Sequence, residues 1–117
     1  MSHADRAREL YLAFLLGDRP KAEELLSPDF TFTSPYDDRI DRDAYFAHCW
    51  PNSTRIRWHE IEQIFEQGDD VAVVYRCVVG GGKQFRNVER LRFERDRIKS
   101  VDVFFGATYL DGSLVKE

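Results

Sequence analysis

In the stretch Phe85-Arg86-Asn87-Val88-Glu89-Arg90-Leu91-Arg92-Phe93-Glu94 the alternation of types is that of a strand with one wet and one dry face. The even positions Arg86, Arg90, Arg92 and Glu94 require water, so Phe85, Leu91 and Phe93 turn inward, and Asn87 and Glu89 turn with them. A carboxylate facing a core is costly. Burial favours its neutral form, and a carboxylic acid kept neutral can give a proton or a hydrogen bond to a ligand. Glu89 is therefore read either as an acid or ligand anchor in a cavity that it shares with Asn87, or as a buried Glu satisfied by an Arg or a Tyr.

Other residues join this group by the same logic. In Val71-Ala72-Val73-Val74-Tyr75-Arg76-Cys77 the outward Arg76 turns the odd positions inward, which brings the Tyr75 hydroxyl towards the same space or leaves it as a core tyrosine. Cys77 is expected to act as a small hydrophobe. His48, on an expected helix, has a side chain suited to a general base near neutrality, or faces solvent. The parity of His59 is not settled by its neighbours. Asp37 and Asp38, beside Tyr36 in a polar loop, are either carboxylates carried on a lid or solvated turn residues. Tyr45, Phe46, Trp50 and Trp58 line the mouth of the cavity or close a small core, and Leu91 and Phe105 add apolar lining. So many rings leave room only for a small hydrophobic ligand.

The elements that must hold these residues follow from periodicity. Ala7, Leu10, Tyr11, Phe14 and Leu15 predict an amphipathic helix over 5–16, ended by Gly17. Asp18 caps a second helix, from about Arg19 to Leu26, with Pro20 in its first turn. Phe30-Thr31-Phe32-Thr33 reads as a short strand, Ser34 to Arg39 as a loop, and Arg42 to Trp50 as a third helix between Asp41 and Pro51. Four strands are expected between about Arg55 and Phe105, divided at Gln67-Gly68-Asp69-Asp70, Gly80-Gly81-Gly82 and Arg95-Asp96-Arg97. The expectation is a single α+β domain, with three N-terminal helices packed on a curved, mostly antiparallel sheet.

Bulk properties limit the function classes. One core fits 117 residues, and 43% hydrophobic with 14% aromatic residues can fill it. Seventeen Lys and Arg against twenty-one Asp and Glu give a net charge of −4, a poor field for phosphates or anionic lipid, so neither nucleic acid nor a membrane is an expected partner. The opening residues lack the apolar run of a signal peptide, and a cytoplasmic protein with reduced Cys49 and Cys77 is expected. No His-x-His, Cys-x-x-Cys or His-Glu-x-x-His occurs, so no metal or other cofactor is expected. Gly80-Gly81-Gly82 lies between strands and reads as a hairpin turn rather than a phosphate cradle.

The order helix, Gly-Asp, helix, strand, Pro loop, helix and four strands resembles the nuclear transport factor 2-like superfamily, with its SnoaL-like polyketide cyclases and ketosteroid isomerases. Tyr11 to Asp18, Leu25 to Phe30, Gly68 to Val73 and Ile98 to Gly106 carry the likeness. The resemblance implies a cone-shaped domain around an apolar pocket, and such folds host enzymes and non-catalytic binders alike. Ketosteroid isomerases use an Asp base in the Pro loop and a Tyr and a protonated Asp to stabilise an enolate oxygen. By that resemblance Glu89 takes the place of the protonated Asp and Tyr11 that of the oxyanion Tyr, while Ser34-Pro35 stands where the base is found. Asp37, Asp38 or His48 would then have to supply the base.

The outward sheet face alternates Val74, Val78, Val88 and Phe104 with Arg76, Arg90, Arg92 and Asp102. That is more apolar than a face left in water, and it predicts a homodimer joined through the sheet.

Overall fold

The computed structural model describes residues 2–116. Helix α1, His3–Leu16, starts on a reciprocal cap, in which Ser2 Oγ accepts from Asp5 N and Asp5 accepts from Ser2 N. It ends where Gly17 takes the left-handed conformation at φ 69°. Asp18 accepts from Lys21 N and caps α2, Arg19–Leu25, as the sequence predicts. The buried side of this helix pair is formed by Ala7, Leu10, Tyr11, Ala13, Ala22 and Leu25.

The elements after this pair depart from the expectation in several places. Strand β1 runs from Leu26 to Ser34, so Ser27-Pro28-Asp29 belongs to the strand, and its apolar Leu26 and Phe30 are fully buried. The polar segment after it is no open loop. Asp37–Asp41 forms strand β2 and folds back antiparallel on β1, with Thr31 opposite Asp41 and Phe32 opposite Ile40. Backbone pairing and the half-burial of Ile40 outweigh the turn-forming side chains there.

The third helix, α3, opens at Arg42–Ala44 under an Asp41 cap, widens into a π-turn over Tyr45–Cys49 and tightens into a 3-10 segment over Trp50–Arg55. Pro51 does not close it, because at the first turn of the 3-10 segment its missing N–H is not needed. The wide turn brings Tyr45 and Trp50, five residues apart, to one face, and both are buried with Phe46.

Strands β3 (Ile56–Gln67), β4 (Asp70–Val79), β5 (Gln84–Glu94) and β6 (Arg97–Leu110) form the expected antiparallel meander. The last outruns its expected end and pairs with a two-residue β7, Ser113–Leu114. The sheet order is β2-β1-β6-β5-β4-β3, and β1 lies parallel to β6. Register shifts in the β3/β4 and β5/β6 pairings bend this sheet around the helices, giving the α+β architecture that the sequence predicts. No helix among the described residues is long and apolar enough to cross a membrane.

Odd positions of β4 and β5 do face inward: Val71, Val73, Tyr75, Cys77, Asn87, Leu91 and Phe93 are buried and Glu89 half-buried. Between this face and the helices, Phe30, Tyr45, Phe46 and Trp50 pack edge on or tilted at ring-centre distances of 5.2 to 6.5 Å.

Candidate functional site

The inward face of β5 meets α1 at Glu89. Tyr11 Oη donates to Glu89 Oε1 at 2.7 Å, and Tyr75 Oη, from β4, donates to Oε2 at 2.5 Å. Asn87 Nδ2 donates to Tyr75 Oη at 3.1 Å, and Asn87 Oδ1 accepts from Gly106 N at 3.2 Å. Two neighbouring strands and a helix thus converge on one carboxyl group, held by phenols rather than by an Arg. The Tyr11 and Tyr75 rings lie 5.3 Å apart, and His59 stands edge on to Tyr11 at 6.3 Å.

Desolvation raises Glu89 above the ordinary carboxylate value, and the two phenol hydrogen bonds pull it partly back. Burial, with the Glu89 charge added, pushes Tyr11, Tyr75 and Tyr45 upward, so these phenols hold their protons. Burial likewise raises the Cys77 thiol to about 12, and lowers His59. Glu89 nonetheless keeps some accessible surface, unlike Leu91 two residues on.

A second, smaller cluster lies where β2 meets α3. Asp37, half-buried, accepts from Ser34 Oγ at 3.4 Å and from Cys49 Sγ at 3.7 Å. Burial, then the Asp37 charge, raises Cys49 to about 11. Ser34 Oγ also accepts from Tyr36 N.

Of the residues singled out from sequence, Glu89, Tyr11, Tyr75 and Asn87 come together. His48 and Asp38 do not: both are exposed, and neither has a hydrogen bond to the group. The π-turn buries Tyr45, Phe46 and Trp50 and leaves Ala47 and His48 in solvent. Phe46 and Trp50 are sealed into the ring cluster, with the Arg19 guanidinium over Phe46 at 4.5 Å, and Leu91 has no accessible surface. These three fill the core rather than line an opening. Phe105 is 49% exposed and packs edge on against Tyr36. Trp58 points to the outer face, under Arg76, because β3 turns His59 and Ile61 inward.

Between helices and sheet, where a small apolar pocket is expected, the rings of Phe30, Tyr45, Phe46 and Trp50 pack against one another. Two open depressions, of about 350 and 250 Å³, lie elsewhere, and neither is lined by Glu89. One is at the β7 end of the sheet, between Arg76, Gln84, Arg86 and Tyr109; the other is beside Val74, Val88 and Phe104. Among the described residues no group of three or more His, Cys, Asp or Glu is arranged to hold a metal ion.

Sequence reasoning missed Gly106. A Cβ there would lie 2.0 Å from the Arg86 carbonyl oxygen, so only glycine lets β6 approach β5 at the register shift between Phe85 and Asn87. The signal was present as a lone glycine inside a strand pattern, which marks a bulge or a close backbone approach.

The model of the SnoaL-like domain matches residues 7–101, from within α1 into the first part of β6. The chain belongs to the SnoaL-like domain family. Solved structures agree on the fold. A protein from Kribbella flavida superposes with a TM-score of 0.79 at 20% identity, covering 86% of this chain and 84% of that one. Nuclear transport factor 2-like proteins of unknown function from Cytophaga hutchinsonii and Burkholderia pseudomallei give 0.74 and 0.71 at 23% and 25% identity. Each covers 90% of this chain, which in turn covers 90% and 92% of theirs. A search of curated proteins gave no match. The SnoaL-like domain is thus known here by its fold, and its chemistry has to be argued from Glu89 and its neighbours.

Proposed function

We propose that this SnoaL-like domain binds a small apolar molecule bearing a carbonyl, hydroxyl or epoxide oxygen at Glu89, and moves a proton to or from it with its own side chains, in an isomerase, cyclase or hydrolase type of reaction. The observation that carries this reading is the Glu89 carboxyl itself: raised by desolvation, held by phenols from two layers, and still partly accessible. A group serving stability alone would be sealed or replaced by an apolar side chain at little cost. Tyr11 offers a hydroxyl to the developing charge on a ligand oxygen, and Tyr75 with Asn87 orients the carboxyl. Asp37 supplies a second carboxylate, since Ser34 occupies the position of the expected base and donates to it. With ring packing so dense, the ligand is smaller than a steroid.

Turnover of enolisable ketones, epoxides and lactones by the wild type and by Glu89→Gln tests this. Consumption that Glu89→Gln abolishes supports acid-base chemistry. Ligands that raise Tm without being consumed favour a second reading, a binding domain without catalysis, for which Ser34 in the base position speaks.

The assembly belongs to the same proposal. Phe104 is 55% and Val88 38% exposed on the outer sheet face, beside half-buried Val74. A second copy packed on this face would cover them.

A further inference from the structure

The four-member network at Glu89 has a direction, and it is set by a backbone group. Gly106 N–H can only donate, so the Asn87 atom it meets is the carbonyl Oδ1 and the other end of the amide is the donor Nδ2. That donor points at Tyr75 Oη, and the phenol has a single proton of its own. Its other partner is Glu89 Oε2, so the proton of Tyr75 goes there. Gly106 cannot give way easily, because it is pressed against the Arg86 carbonyl. Tyr11 has no such constraint: Glu89 Oε1 is its hydrogen-bond partner, and among the described residues no side chain donates to its oxygen.

We propose that Gly106 and Asn87 lock Tyr75 as a permanent donor to Glu89, so that Tyr11 alone reverses when Glu89 takes up or gives a proton. This rests on the functional reading of Glu89 above and deepens it. When Glu89 is protonated on Oε1, its O–H donates to Tyr11 Oη, and the Tyr11 proton turns outward to an acceptor. Proton release runs as a relay: the Glu89 proton passes to Tyr11 Oη as the Tyr11 proton passes to the ligand oxygen. The ligand gains one proton, Glu89 becomes a carboxylate, and Tyr11 ends neutral and again donating to it. The substrate oxygen is therefore met by Tyr11, and Asn87 is a positioning residue. The other titratable groups around Glu89 are Tyr75 and Cys77 from β4, Tyr45 from α3 and, behind Tyr11, His59 from β3, while β6 presents Val103.

Carbon-detected titration of the Glu89 carboxyl, in the full chain labelled at glutamate Cδ, reads the direction. Removing either phenol raises the midpoint by taking a donor from the carboxylate. Tyr11→Phe also takes the acceptor from the protonated acid, which offsets part of the rise, whereas Tyr75→Phe takes from that form only a weaker neutral bond. Tyr75→Phe is expected to raise the midpoint by about one pH unit more than Tyr11→Phe; equal shifts or the opposite order overturn the proposal. The wild type gives an independent readout if a variant does not fold. The Tyr75 hydroxyl proton should stay hydrogen-bonded on both sides of the Glu89 transition while that of Tyr11 moves, and the reverse behaviour overturns the lock. A Glu89 midpoint at the ordinary carboxylate value would remove the functional reading, while the order of the two variants would still decide the direction.

Discussion

Tyr11 and Glu89 stand 78 residues apart in the chain and 2.7 Å apart in space, and the bond between them joins the helix layer to the sheet. Each is the other's reason for being tolerated inside: the phenol gains a strong acceptor and the carboxyl a strong donor. The balance between them depends on pH.

Glu89 sets one dependence. Its native value lies above the ordinary 4.5, so above pH 4.5 the unfolded chain has released a proton that the native state still holds. Stability contributed by this group is full below 4.5 and is lost as pH rises towards the native value. Tm should fall over that range in the wild type, and Glu89→Gln should flatten the fall. Asp70, held low by the hydrogen bond and charge of Arg92, acts with the opposite sign and only below 3.8. Thermal scans from pH 4 to 8 check this, and an unchanged slope in Glu89→Gln would sink it.

Gly106→Ala forces a methyl carbon into the Arg86 carbonyl. Separating β5 from β6 at that point should destabilise the domain by about 2–3 kcal/mol, a loss of roughly 10 °C in Tm. The same change should unhook Asn87 from the backbone. Gly68→Ala is the contrasting control: it has open space around it but a φ of 60°, so its cost is backbone strain alone and smaller, about 1 kcal/mol.

Both thiols should be slow to react. With Cys49 raised to about 11 and Cys77 to about 12, neither carries appreciable thiolate at pH 7. Iodoacetamide labelling followed by mass should proceed only above about pH 9 for Cys49 and require unfolding for buried Cys77. Rapid modification of Cys49 at neutral pH would mean that Asp37 does not hold its hydrogen.

Phe104→Arg tests the sheet-to-sheet dimer. Wild-type protein at micromolar concentration is expected to sediment as a dimer and the variant as a monomer with its fold intact. Wild-type sedimentation as a monomer would defeat the assembly proposal.

The fold was legible because its signals are local. Gly17-Asp18 ended one helix and capped the next, and the arginines of β5 declared which face was wet. The same parity placed Glu89 and Asn87 inside. What escaped depended on distance or on backbone geometry. Strand β2 is made by pairing with β1, which side-chain propensity does not report. The π-turn placed Tyr45 and Trp50 together in a way that a 3.6-residue period cannot predict, and it left His48 in solvent. The filled interior was also out of reach, since rings that could line a cavity and rings that close one are the same residues until they are packed.

The parallel pairing of β1 with β6 has a consequence for synthesis. Strands β3 to β6 pair with sequence neighbours, but the first forty residues wait for β6 before their edge is covered. On a ribosome, the N-terminal half emerges early and cannot reach its final place until β6 has left the exit tunnel. The N-terminal helices and β1 therefore have to remain unpaired on their sheet side until β6 arrives, which makes the docking of the helix layer, and with it the Tyr11 to Glu89 bond, a late event in folding.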